Sequence, residues 1–450
     1  MKFNEYQAMY EGKTRLSKKL YNRSLQVFPG GINHNIRFFH PYPFFVKKAV
    51  KNTLLDVDGN RYTDYWMGHW ALILGHSHPA VVSATSQQVK SGILFGTANA
   101  LSVELAETIQ RLMPKAELMR FSSTGSEATM YAVRLARAAT GRRVIAKVIG
   151  GWHGFNTTLL QSVNYPFEFD ESLGIVQEEE HFVESIPFND LDRSIKILNA
   201  IKDDLAGIII EPVLGAAGCI PASREYLFGL QEFAKKNSSL FILDEIVTGF
   251  RVSIHGAMSI YKLEPDLFTL GKIIGGGMPV GLVCGKKEII SLADPIARDQ
   301  KYKRCSIGGG TFSANPATMS AGLTTIEYLR KNKQTLYSRL NALGEQARKR
   351  LSRIFNDSKI NVQITGMGSL FMTHFLGRDA GNKKKVDNAL DVANSNQKLL
   401  NIYHMSLLAK YNIFFLPGKM GCFSEVHNLG DLKKLFSATE AIVESGILDE

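Results

Sequence analysis

Four stretches of this 450-residue chain put polar or ionisable side chains directly after short apolar runs, where a chemical site can be built. In LFTLGKIIGGGMPVG, Lys272 stands alone among apolar residues and glycines. Desolvation there lowers the amine pKa and makes it a nucleophile able to condense with an aldehyde, whereas a stem reaching back to water would leave it inert. In FILDEIVTGFR, Asp244 closes an apolar run and must find a partner if it is buried. A protonated heterocyclic nitrogen is one candidate; a protein cation or a helix cap is the plainer one. In FSSTGSEATMYAVRLAR, Ser123, Thr124, Gly125 and Ser126 lead into a helix whose first N–H groups suit a phosphate, although Thr124 or Ser126 as an ordinary N-cap needs the same residues. In VIGGWHGFN, Trp152 and His153 lie between glycines that admit a flat ligand close to the backbone, the indole serving as a stacking face or simply as core.

A desolvated lysine, a buried acid, a phosphate turn and an aromatic plate are together what pyridoxal 5'-phosphate (PLP) requires. The elements that would position them alternate. From residue 118 onward, short apolar strands (ELMRFSS, RVIAKVIG, LAGIIIEPV, SLFILDEI, DLFTLGK) are interleaved with amphipathic helices such as SEATMYAVRLARAAT and SREYLFGLQEFAKKN. That pattern predicts an α/β fold with a mostly parallel sheet covered on both faces, whose ligands bind beyond the carboxyl ends of the strands. Before it, the sequence predicts an amphipathic helix over 15–28, a hairpin over 52–65 turning at Asp58-Gly59, and helices near 79–91 and 101–113. After about 325 the chain turns to long charged helices and a few strands, with GRDAGNKKKVDNALD (377–391) expected as an exposed loop. The expected organisation is an N-terminal segment 1–69 belonging to a small domain, a large domain 70–325, and a C-terminal small domain 326–450.

Composition narrows the class of protein. Hydrophobic residues at 45% and charged residues at 21% are ordinary for a soluble globular chain. The polar start MKFNEYQAMYEGKTRLSKKL and the lack of any long apolar run predict neither a signal peptide nor a membrane span. Cys219, Cys284, Cys305 and Cys422 are too scattered for a metal site or a disulfide framework, so a cytoplasmic, metal-free protein is expected. The net charge of +11 is spread along the chain, which favours a solvated surface and an anionic small molecule over nucleic acid.

LDEIVTGFR followed by PDLFTLGKIIGGGMPVG resembles the signature of the class III (fold type I) PLP-dependent aminotransferases. The resemblance extends through PGGINHNIR, LGHSHP, STGSEA, GGWHG, EPVLGAAG and GGTFSANPATMSAG, nearly the whole chain, and within the class lies nearest the glutamate-1-semialdehyde aminomutase branch and its aminotransferase cousins. It implies a large domain with a mostly parallel seven-stranded sheet plus a smaller α+β domain. It further implies that Lys272 forms the Schiff base and shuttles a proton, that Asp244 pairs with the pyridinium nitrogen, and that Trp152 and Ile246 take the two ring faces. Thr124, Gly125 and Ser126 match the phosphate turn, Glu211 of the EP motif lies near the phenolic edge, and Arg37 matches an arginine that binds a substrate carboxylate. Thr311 matches a threonine that reaches the phosphate of the neighbouring subunit, which implies a homodimer with shared sites.

This chain departs from the aminomutase pattern where substrate is handled. His34 and Asn35 stand where that pattern has serine and proline, Ala216 replaces an asparagine, and NYPFEFDESLGIVQEEE replaces a glycine- and serine-rich gating loop. Lys419 falls where a glutamate is found; Lys419 and His69 become candidates to meet an anionic group on the substrate, with solvent exposure of both the equal alternative, and Trp70 is a further candidate for substrate binding. The expectation is a ping-pong aminotransferase moving an amino group from an amino donor to a carbonyl acceptor, with an intramolecular aminomutase as the alternative.

Overall fold

The computed structural model describes residues 3–168, 171–296, 304–376 and 385–449. Two compact units arise from contacts within the chain: Met1–His78 with Arg339–Val386 and Asp391–Glu450, and Pro79–Ser338 with Asp387–Leu390.

The second unit is built on the interleaved apolar runs. They form one seven-stranded sheet in the order Leu118–Ser122, Gly281–Gly285, Leu267–Gly271, Leu240–Asp244, Leu205–Ile210, Val144–Val148 and Val183–Ile186. All neighbours pair in parallel except Gly281–Gly285, which is antiparallel to both of its partners. Strands covered on both faces need no apolar–polar alternation, and Leu205–Ile210 and Leu267–Gly271 are buried at every position. Helix Gly125–Thr140 lays Ala132, Leu135 and Ala136 against Ile145, Ile209, Ile242 and Val283 of the sheet. It ends at Gly141, whose φ of 70° is the left-handed conformation that closes a helix cheaply in glycine.

In the first unit, Val46–Val50, Thr53–Asp56 and Arg61–Asp64 run antiparallel, and Ile413–Phe414 joins the last of them in parallel. A three-stranded sheet of Val362–Thr365, Leu370–Phe375 and Gly421–Cys422 completes its β structure. Helices Phe3–Lys13, Arg15–Ser24, Gln397–Tyr411 and Leu429–Glu444 belong to the same unit. The aromatic core is dense: Tyr65 stacks on Phe415 with centroids 4.9 Å apart and meets Phe371 and Phe423 edge-on.

The hairpin over 52–65 forms as expected, and the helices near 79–91 and 101–113 appear as Pro79–Ser91 and Ala100–Leu112. Two expectations need correction. The helix read over 15–28 stops at Ser24, because the Ser24 hydroxyl binds the Tyr21 and Gly31 carbonyls and the chain turns away toward Pro29. The charged helices read after 325 are one helix of 42 residues, Pro316–Asp357, since no proline or glycine pair interrupts its pattern. Of the expected loop 377–391, residues 377–384 lie outside those described, and a short helix begins at Ala389. The four cysteines are buried and none is joined in a disulfide among the described residues, where no helix is long and apolar enough to cross a membrane.

Candidate active site

The parallel register of Leu240–Asp244 on Leu267–Gly271 sets Asp244 opposite Thr269. Asp244 is buried, and its Oδ1 accepts from the Thr269 hydroxyl at 2.9 Å and from the Ile246 amide at 3.0 Å. Its Oδ2 stands 2.7 Å from His153 Nδ1. A carboxylate has about four lone-pair positions, so one acceptor position remains on an otherwise fully engaged acid.

Lys272 follows at the end of that adjacent strand, immediately after Gly271, with a φ of 47° that side chains rarely adopt. Burial pulls its ammonium below the ordinary lysine value; Asp244 and Glu211 oppose that shift and Arg251 assists it. Glu211 is buried, its carboxylate accepting from the Trp152 amide at 3.0 Å and the Gly215 amide at 3.1 Å. Burial pushes its acid up to about 6, with His153 pulling the other way.

The turn before helix Gly125–Thr140 carries both of the roles open to it. Thr124 caps the helix through the Glu127 amide at 3.2 Å, and the Glu127 carboxylate accepts from the Ser123 and Thr124 amides, a complete capping box. The amides of Gly125 and Ser126, first in the helix, have no acceptor within it and are the donors left for an anion. Ser126 Oγ accepts from the Phe155 amide, which ties the Trp152–Gly154 segment to the turn. Gly154 makes that approach possible: a Cβ there would lie 2.3 Å from Ser126 Oγ. Ile246 fills the space between two glycines, since a Cβ on Gly125 would lie 2.7 Å from its Cδ1 and one on Gly271 3.4 Å from its Cγ2.

PLP fits this arrangement. The buried His153 Nε2 has no hydrogen-bond partner among the described residues, Asp244 keeps one acceptor position, and the amides of Gly125 and Ser126 are available. These are the groups that a phosphate and a protonated pyridine nitrogen need.

Of the residues singled out from the sequence, Ser123–Ser126, Trp152, His153, Glu211, Asp244, Ile246, Lys272 and Thr311 fall in the second unit, and Arg37, His69, Trp70 and Lys419 in the first. Trp152 is half-buried, with Phe155 edge-on at 4.8 Å. Thr311 is exposed on the wall of a cavity of about 950 Å³. Lys419 lies mostly out of water, which holds its amine below the ordinary value. Sequence reasoning missed Thr269, Glu127 and Lys147. The signal for Glu127 was present, three residues after Thr124; nothing local marked Thr269. Lys147 is a fully buried amine in the middle of strand Val144–Val148, donating to the Gln161 carbonyl and drawn down to about 7 by burial.

Fold and site together define a fold type I PLP-dependent enzyme. The sequence profile of the class III aminotransferases matches residues 37–399, and the chain belongs to that family. It is 35% identical over 427 residues to a glutamate-1-semialdehyde 2,1-aminomutase of Methanosphaera stadtmanae, covering 94% of this chain and 97% of the relative. Among solved structures it is similar to an omega-transaminase from Sphaerobacter thermophilus, with a TM-score of 0.87 and 30% identity over 95% of this chain and 97% of the other. A transaminase with PLP bound is similar to the same degree, with a TM-score of 0.86 and 30% identity over 97% and 99%.

Proposed function

We propose that this enzyme moves an amino group onto a carbonyl carbon at Lys272, acting on a substrate that carries a carboxylate or other anionic group. The observation that carries the reading is the buried constellation itself: an amine held below its ordinary value, with Asp244 and Glu211 as its anionic neighbours. When bound, PLP supplies an aldehyde carbon and a ring that accepts the electron pair left when the C–H bond beside the amino group breaks. Lys272, its amine held toward the neutral form by burial, would take that proton on Nζ and return it to the neighbouring carbon. Asp244, fixed by Thr269, His153 and the Ile246 amide, holds a cationic ring nitrogen without reorganising. Gly125 and Ser126 would anchor the phosphate, and Trp152 and Ile246 would confine the ring.

The relatives named glutamate-1-semialdehyde 2,1-aminomutase support an intramolecular transfer, in which one amino aldehyde is rearranged. Transfer between two molecules, the ordinary transaminase cycle, is supported by the omega-transaminase likeness and by this chain's Ala216, Lys419 and altered 164–180 segment. Turnover of glutamate 1-semialdehyde with no added donor or keto acid is expected for the first and stalls after one half-reaction for the second. Replacing Lys272 with Ala lowers turnover by roughly 10²–10⁴-fold in either case; full activity in that variant would remove the assignment.

A homodimer is part of the proposal, with Thr311 and Arg37 carried over from the resemblance and His69, Trp70 and Lys419 kept as the candidate substrate residues of this chain's own sequence. Supporting it, the exposed apolar side chains Leu94, Phe95, Val103 and Phe312 cluster in sequence around the segments that line the cavity at Thr311. The proposed compartment is the cytoplasm, in keeping with four buried cysteines held as thiols.

A further inference from the structure

Lys147 is a fully buried amine that the chemistry proposed above leaves unused. It lies in the middle of strand Val144–Val148, between Leu205–Ile210 and Val183–Ile186. Packing alone does not call for an amine there: Lys147 pairs with Ile209, which pairs in turn with Ile242, so on that side its row of the sheet is aliphatic. An ammonium in such a layer is costly unless anions meet it. Two residues on from Ile209 and Ile242, and so on the same face, come Glu211 and Asp244. Two carboxylates favour the charged amine, Glu171 first and Glu211 second. Glu171 accepts from the Val163 amide and from both the backbone and side-chain amides of Asn164, while Lys147 donates to the Gln161 carbonyl. Between these anchors, the Ser162 carbonyl accepts from the Gly150 amide at 2.7 Å and its hydroxyl accepts from Ser185 at 2.9 Å. The amine therefore has the 161–171 segment for one neighbour and Glu211 for another.

The bearing on the site is through Glu211. Its two oxygens accept separate amides, Trp152 and Gly215, and His153, Asp244 and Lys272 are its other ionisable neighbours. An ionised carboxylate meets both donors without bringing a proton that needs an acceptor of its own. Burial and the Asp244 charge work against that ionisation, and His153 works for it. Resting on the amino-transfer reading, in which Glu211 stands at the cofactor, we propose that Lys147 is a positioning residue: its buried ammonium is the counter-charge that keeps Glu211 a carboxylate, and so holds the Trp152 segment in place for the ring.

The charge of Glu211 is read in the PLP-loaded full chain from the infrared carbonyl stretch of its protonated acid, assigned by the loss of that band in Glu211→Gln and followed against pH. Lys147→Met, close in length and uncharged, is expected to raise the midpoint by about one pH unit, a change of about tenfold in the ratio of acid to carboxylate. It is also expected to weaken the retention of PLP about tenfold, measured by absorbance on dilution. Lys147→Gln, which keeps a donor for the Gln161 carbonyl, is expected to do the same, and Lys147→Arg, which keeps the charge, to leave the midpoint near the parent's. An unmoved midpoint in whichever of the Met and Gln variants folds, or a midpoint that rises with Met and not with Gln, overturns the proposal, because the hydrogen bond to Gln161 and not the charge is then what Lys147 supplies. PLP retention that does not follow the midpoint removes its bearing on the cofactor. The titration needs no turnover, so failure of the amino-transfer reading would show separately, as lack of product with the midpoint shift intact.

Discussion

Asp244 engages three of its lone-pair positions within the chain, so its removal is felt in stability before chemistry begins. Asp244→Ala leaves a buried hydroxyl, an imidazole and an amide without an acceptor, at about 1–3 kcal/mol each. The cofactor-free variant should melt well below the parent, whereas Asp244→Asn should keep most of the stability and lose the charge, and with it the rate. Calorimetry and turnover measured on the two variants separate these effects. Glu211 makes a prediction in pH. Its acid rises from 4.5 to about 6 on folding, so the folded state binds more protons between those values and stability falls as pH rises through that window. The loss reaches about 2 kcal/mol above pH 6. Glu211→Gln should flatten the melting temperature of the cofactor-free protein between pH 4.5 and 6; an unchanged slope would assign the dependence elsewhere.

At the scale of elements, the site depends on close approaches that admit no side chain. The Trp152–Gly154 segment rests on the start of helix Gly125–Thr140 through Gly154, whose φ is 90°. Gly154→Ala should cost about 1–3 kcal/mol through overpacking, and it should weaken PLP binding, measured by titrating the cofactor-free protein and following absorbance. Thr124→Ala, which removes only the cap, should cost about 1 kcal/mol with a smaller effect on cofactor affinity. Equal effects of the two on PLP would mean that the cap, and not the glycine contact, shapes the phosphate turn. Gly281 has a similar duty, since a Cβ there would lie 2.0 Å from the Thr124 carbonyl.

For the whole molecule, the proposed dimer makes the exposed apolar residues of the second unit meaningful. Phe312 is 65% exposed and next to Thr311. Sedimentation should show a dimer for the parent, and Phe312→Glu should shift it toward monomer and lower activity together. A monomeric parent with full activity would remove Thr311 from a neighbour's site. The net charge of +11 provides a field that favours an anionic cofactor and an acid substrate.

What the sequence determined by itself is what local chemistry can carry. Apolar β-branched runs between amphipathic helices dictate strands and helices, a glycine after an apolar run permits a tight turn, and Lys272 and Asp244 stand out because charge is costly where they sit. The EP, STGSEA and GGWHG motifs were legible for the same reason: each is a short segment whose function depends on its own backbone. The pairing of Thr269 with Asp244, the antiparallel strand Gly281–Gly285 inside a parallel sheet, and the buried Lys147 were not legible. Each follows from which strands lie side by side and in what register, and those pairings join residues far apart in sequence. The left-handed run Met67–Trp70 belongs with them, because its only local signal is one glycine, and the bonds from Asp64, Trp70 and His427 that hold it exist once the first unit has folded.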